Sequence, residues 1–69
     1  MSPIVIRIQE LREEAGLTQA ELAHLAGTNQ GTVSNLETGK TTRLDLPLLN
    51  RLCRALKCQP GDILVRMGR

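Results

Sequence analysis

The chain has 69 residues, 41% of them hydrophobic and 23% charged, with no Phe, Tyr or Trp. That size supports one small domain, which would bury only about 60 to 65% of its extended surface, and the mix is that of a globular protein. RRM and OB domains read single strands by stacking bases on aromatic rings, so the missing aromatics exclude that class. The net charge is only +2, but its distribution is polarised. Residues 1–37 carry two arginines against five glutamates, net −3, and residues 38–69 carry seven cations against two aspartates, net +5. A basic half of this kind fits a polyanionic partner.

No apolar run is longer than the three residues of Ile4-Val5-Ile6, far below the roughly 20 of a membrane span, and no signal peptide opens the chain, so a cytoplasmic protein is expected. Ile4 to Ile8 is β-branched and reads as extended. Ile8, Leu11 and Ala15 then recur at helical spacing, predicting a first helix that stops at Gly16. Thr18-Gln19-Ala20-Glu21 has the form of a capping box, with Leu17 and Leu22 placed to staple it. The second helix is expected to run to about Ala26 and end at Gly27. Thr28 is expected to cap a third helix through Glu37, with Gly39 as its terminator and at most three residues between the two helices.

Lys40 to Arg43 is a polar, basic loop. Asp45 is placed to cap a fourth helix with Pro47 in its tolerant first turn, an inward stripe of Leu49, Leu52, Cys53 and Leu56, and an end near Lys57. Gln59 to Asp62 reads as a turn or a short helical start. Ile63 to Met67 is β-capable and able to pair with Ile4 to Ile8. The fold class is therefore mainly α, four to five short helices with a central helix-turn-helix and a small two-stranded pairing of the chain ends. Residues 1–69 form a single domain on this reading.

The functional signal lies between Gln19 and Asn35. Small Ala23 lets a second helix cross closely, Gly27 lets the chain turn back, and Val33 and Leu36 point into the shared core. With those two inward, the third helix shows Gln30, Gly31, Ser34, Asn35 and Thr38. Short amides and hydroxyls suit hydrogen bonding to base edges, Gln or Asn to adenine above all. An ordinary solvated helix face is the alternative, but poor helix formers at Gly31, Thr32, Ser34 and Asn35 weigh against it. Gln19, Thr32, Lys40, Thr41, Thr42 and Arg43 are the candidate phosphate contacts.

The stretch LREEAGLTQAELAHLAGTNQGTVSNLETGK followed by LDLPLLNRLCRALKCQPGDIL resembles the phage-repressor, xenobiotic-response-element-type helix-turn-helix family across about residues 4–65. The resemblance implies a compact bundle that binds operator DNA as a two-fold homodimer, with the third helix in the major groove. It places base contacts on Asn29, Gln30 and Asn35 and phosphate contacts on Gln19, Lys40, Thr41 and Arg43. It also implies a pairing of Arg12 with Glu37, either as a buried pair that orients the third helix or as a surface pair. Gly31 departs from the family, which often has a base-reading side chain there. The chain looks like a short, stand-alone member, without a separate oligomerisation domain.

The remaining residues have plainer readings. Cys53 and Cys58, with His24 distant, fit no four-ligand zinc site and read as reduced apolar side chains, a disulfide or redox switch being the alternative. His24 reads as exposed, and Arg51, Arg54 and Lys57 as a solvated face, with contact to DNA as the alternative. Leu48 and the apolar chain ends are candidate dimer contacts, with ordinary core edge as the alternative reading. The expected function is a sequence-specific duplex-DNA-binding transcriptional regulator, most simply a repressor, needing no cofactor. The alternative is an antitoxin or adaptor that uses the fold to hold a small protein partner. No pairing of residues has the spacing of an enzyme site.

Overall fold

The computed structural model describes residues 4–67. In chain order it contains β1 (Ile4–Ile6), α1 (Gln9–Glu14), α2 (Gln19–Leu25), α3 (Gln30–Thr38), α4 (Leu46–Leu56), α5 (Pro60–Ile63) and β2 (Leu64–Arg66). The strands pair antiparallel in the register Ile4 with Arg66, Val5 with Val65 and Ile6 with Leu64, so the expected pairing of the chain ends forms. It is shorter than the apolar runs because Ile8 and Ile63 are both fully buried. Each turns inward as a core anchor, Ile8 as the N-cap of α1 and Ile63 as the last residue of α5.

Local chemistry sets the helix ends. The Thr18 hydroxyl accepts from the Glu21 N–H while Glu21 Oε1 accepts from the Thr18 N–H, which completes the capping box. At the other end of α2, the Thr28 N–H donates to the Ala23 carbonyl and the Gly27 N–H to the His24 carbonyl. This Schellman closure needs a left-handed residue, and Gly27 supplies it at φ 66°. Asn29, not Thr28, caps α3, its Oδ1 accepting from the Thr32 N–H at 2.8 Å, while the Thr28 backbone closes α2. The connection between the helices, Ala26 to Asn29, is correspondingly one residue longer than expected.

Asp45 Oδ1 accepts from the Leu48 N–H to cap α4. That helix ends at Lys57, a non-glycine residue at φ 55°, a conformation that costs roughly 1 kcal/mol. The Cys58 N–H donates to the Cys53 carbonyl across this turn.

The core consists of Ile8, Leu22, Ala23, Ala26, Val33, Leu36, Leu48, Leu49, Leu52, Cys53, Leu56 and Ile63. Leu48 lies inside it, which removes Leu48 as a candidate dimer contact: it sits on the α4 surface that faces the core. No helix among the described residues is long and apolar enough to cross a membrane.

Candidate nucleic-acid interface

The face of α3 opposite buried Val33 and Leu36 carries Gln30, Gly31, Asn35 and Thr38, all exposed, and half-buried Ser34. None of these is charged. The helix has weak intrinsic propensity and is held largely by its surroundings. Near its C-terminal end the Glu37 carboxylate, 3% exposed, takes a 2.7 Å hydrogen bond from Arg12 Nε and a second from Arg12 Nη2. Arg12 Nη1 also donates to the Leu17 carbonyl. Hydrogen bonding to Glu37 raises the Arg12 pKa above its ordinary value, against the opposing effect of burial. The buried-pair reading of Arg12 and Glu37 therefore applies, and it joins α1 to α3.

Gln19, expected on a phosphate, extends this network. Its Nε2 donates to Glu37 Oε1 at 2.9 Å and its Oε1 accepts from Gln30 Nε2 at 3.5 Å. The first side chain of the reading helix is thus tethered to a buried ion pair. Gln30 still has an amide oxygen and a second N–H for a base edge, while Gln19 has one N–H and its backbone amide at the start of α2.

Two further candidates are drawn into the α3 cap. Asn29 Oδ1 accepts from both the N–H and the hydroxyl of Thr32, so Asn29 can meet a base only through its amide N–H groups. Both donors of Thr32 point at Asn29, and a phosphate contact by Thr32 requires the cap to open. Gly31 has a local reason here: a Cβ would stand 3.3 Å from Asn29 Oδ1, crowding the cap.

The basic loop folds back onto α3. The Thr41 N–H donates to the Asn35 carbonyl at 3.3 Å, and the Thr41 hydroxyl accepts from the Arg43 N–H at 3.1 Å. Lys40, Thr42 and Arg43 are exposed beside the C-terminal end of α3. Cationic and hydroxyl groups thus flank an uncharged row of amides, the division of labour between backbone positioning and base readout on a duplex.

Arg51 was hidden from sequence reasoning. It does not simply face solvent, because its Nε donates to the Ala26 carbonyl at 2.7 Å and lies 3.6 Å from where a Gly27 Cβ would stand. It thereby ties α4 to the turn, where a cation also complements the C-terminal end of α2. No sequence pattern signals this contact, since its partner is 25 positions away. His24 is exposed, as expected. Cys53 and Cys58 are free thiols. Burial, with Cys53 as neighbour and hydrogen-bond partner, pushes the Cys58 thiol up to about 11, which disfavours the reactive thiolate.

The sequence matches the Cro/C1-type HTH DNA-binding domain over residues 7–67. The chain belongs to that helix-turn-helix family. It is 36% identical over 61 residues to the uncharacterized HTH-type transcriptional regulator YozG of Bacillus subtilis (strain 168), covering 88% of this chain and 73% of that protein. Among solved structures, it is similar to the P22 c2 repressor in complex with synthetic operator 9T, with 29% identity, TM-score 0.74 and coverage of 80% of this chain and 82% of that one. SinR, the master regulator for biofilm formation, in complex with DNA, matches with 27% identity, TM-score 0.76 and coverage of 80% and 87%. The restriction-modification controller protein C.AhdI from Aeromonas hydrophila matches with 33% identity, TM-score 0.74 and coverage of 80% and 78%. As a member of the Cro/C1-type family the chain is a DNA-binding transcriptional regulator.

Proposed function

We propose that the chain works in the cytoplasm as a repressor that binds a two-fold-symmetric duplex operator as a homodimer, residues 1–69 acting as a single DNA-binding domain. In this reading α3 enters the major groove. Gln30, Ser34 and Asn35 read base edges, Gly31 allows close approach of the backbone, and Asn29 contributes through its amide N–H groups. Lys40, Thr41, Thr42 and Arg43 meet phosphates on one side of the helix, and the N-terminal end of α2 at Gln19 meets them on the other.

The observation that carries this reading is the tether of Gln30 through Gln19 to the buried Arg12–Glu37 pair. A merely solvated helix gains nothing from fixing its first exposed amide to a buried charge. A side chain that must present both donor and acceptor to one base does. The similarity to the P22 c2 repressor and to the regulator SinR, each in complex with DNA, supports this reading.

Selection of bound duplexes from random DNA, read by sequencing, tests the proposal. The expected result is an enriched motif with two-fold symmetry and half-sites about one helical turn apart. Enrichment of no motif, with no retardation of any duplex at low salt, would end it.

A further inference from the structure

The left-handed turn at Lys57 ends α4, and across it the Cys58 N–H donates to the Cys53 carbonyl at 3.0 Å. A closure of this kind sets the side chains of its first and last residues against each other. Here both are thiols, free and in side-chain contact. They stand together on the wall of an open groove of about 460 Å3, which Leu46, Leu49 and Pro60 make apolar and which Arg54 and Lys57 border with positive charge. The DNA-binding reading makes no use of this pair, and none of the groove's residues belongs to α3.

Adjacent thiols bind soft, thiophilic centres, and the surroundings narrow the choice. Among the described residues no third His, Cys, Asp or Glu joins them in a metal-ligand group, so a tetrahedral cation would be short of donors. A linear two-coordinate cation needs its sulfurs on opposite sides, whereas these lie side by side. Arg54 and Lys57, neither in an ion pair among the described residues, repel an incoming cation. The Cys58 thiol, pushed up to about 11, also resists the deprotonation that cation binding requires. A monosubstituted trivalent arsenical, R–As(OH)2, escapes all four objections. It is uncharged, its pyramidal arsenic bends the S–As–S angle, and it has two hydroxyls to exchange for two thiols. Each As–S bond that forms replaces an As–O bond, and each thiol hydrogen leaves with a hydroxyl as water, so nothing is oxidised or reduced.

We propose that Cys53 and Cys58 form a dithiol site for monosubstituted trivalent arsenicals, with both sulfurs on the arsenic and the organic group lying in the apolar groove against Leu46 and Leu49. Two bonds from one chain close a ring, so the second thiol acts at high effective concentration and the pair holds what a single thiol exchanges freely.

Phenylarsine oxide, which hydrates to such a species, tests this on the reduced full chain. Intact mass should show one phenylarsenic taken up with loss of both thiol hydrogens, and retained against an excess of a monothiol. Cys53→Ala and Cys58→Ala should each hold it on the order of 100-fold less strongly in that competition. The chain has no Phe, Tyr or Trp, so the phenyl protons stand clear in the NMR spectrum, and they should show nuclear Overhauser effects to the Leu46 and Leu49 methyls. Leu46→Glu keeps both thiols and, at a side chain 77% exposed, should stay folded by circular dichroism. It should weaken phenylarsine oxide several-fold and leave arsenite, which has no organic group, unchanged. Equal retention by wild type and Cys58→Ala would overturn the proposal. So would phenyl contacts confined to residues outside the groove, a Leu46→Glu variant that loses both arsenicals alike, or cadmium displacing phenylarsine oxide at equal concentration.

Discussion

Helices α3 and α4 are neighbours in the chain and use helical geometry in opposite ways. Five of the eleven residues of α4 are buried, against two of the nine in α3. The first is held by the core it helps to build. The second is held at its ends, by the Asn29 cap and by Glu37 in its last turn, so its exposed face is free to be chosen for chemistry. A reading helix can tolerate the weak propensity of Gly31, Thr32, Ser34 and Asn35 because the Asn29 cap, the Glu37 ion pair and buried Val33 and Leu36 hold it in place.

The contrast can be broken by substitution, most severely at the core. Leu52→Ala removes a fully buried side chain from α4 and should lower stability by about 3 to 4 kcal/mol in a denaturant titration. Glu37→Ala should cost less, about 1 to 3 kcal/mol, although it deletes no apolar group, because it takes the charge partner from a part-buried Arg12 guanidinium that keeps only the Leu17 carbonyl and Glu13. If Glu37→Ala proves nearly neutral, α3 is held by its own turns and the contrast fails. Gln30→Ala should leave the melting curve unchanged and weaken a selected operator by about 1 to 3 kcal/mol, sparing non-specific duplex. Asn29→Ala should lower stability by about 1 kcal/mol through loss of the cap.

The smallest effect concerns pH. The Cys58 thiol has its folded pKa raised from 9.0 to about 11. Its contribution to stability is therefore complete below pH 9 and is lost as pH rises toward 11. Melts between pH 8 and 11, compared with those of Cys58→Ala, check the sign.

Features written in short stretches of chain were legible. The Thr18–Glu21 capping box, the Asp45 cap, the glycine terminators and the α4 stripe each depend on neighbours within a few positions, and each forms as expected. Asn29 and Thr28 are both good caps; Asn29 caps α3, while the Thr28 N–H closes the end of α2. Arg51 on Ala26, Gln19 on Glu37 and Leu48 in the core depend on how α4 and α3 cross α2, which no local pattern encodes. Within the interface, the types of side chain were readable and their mutual tethering was not.

The two-stranded sheet joins opposite ends of the chain through three residue pairs, and its side chains are largely exposed. Closing so long a loop carries a large entropic penalty that so small a sheet hardly offsets on its own. The helices, whose contacts are mostly near in sequence, are therefore expected to assemble first and the strands to join them last. In the folded molecule the strands should reopen most readily, without melting the reading helix. The amide of Arg7, bonded to the Ile63 carbonyl, then reports the clasp in hydrogen exchange, and that of Leu22 in α2, bonded to the Thr18 carbonyl, reports the body it encloses.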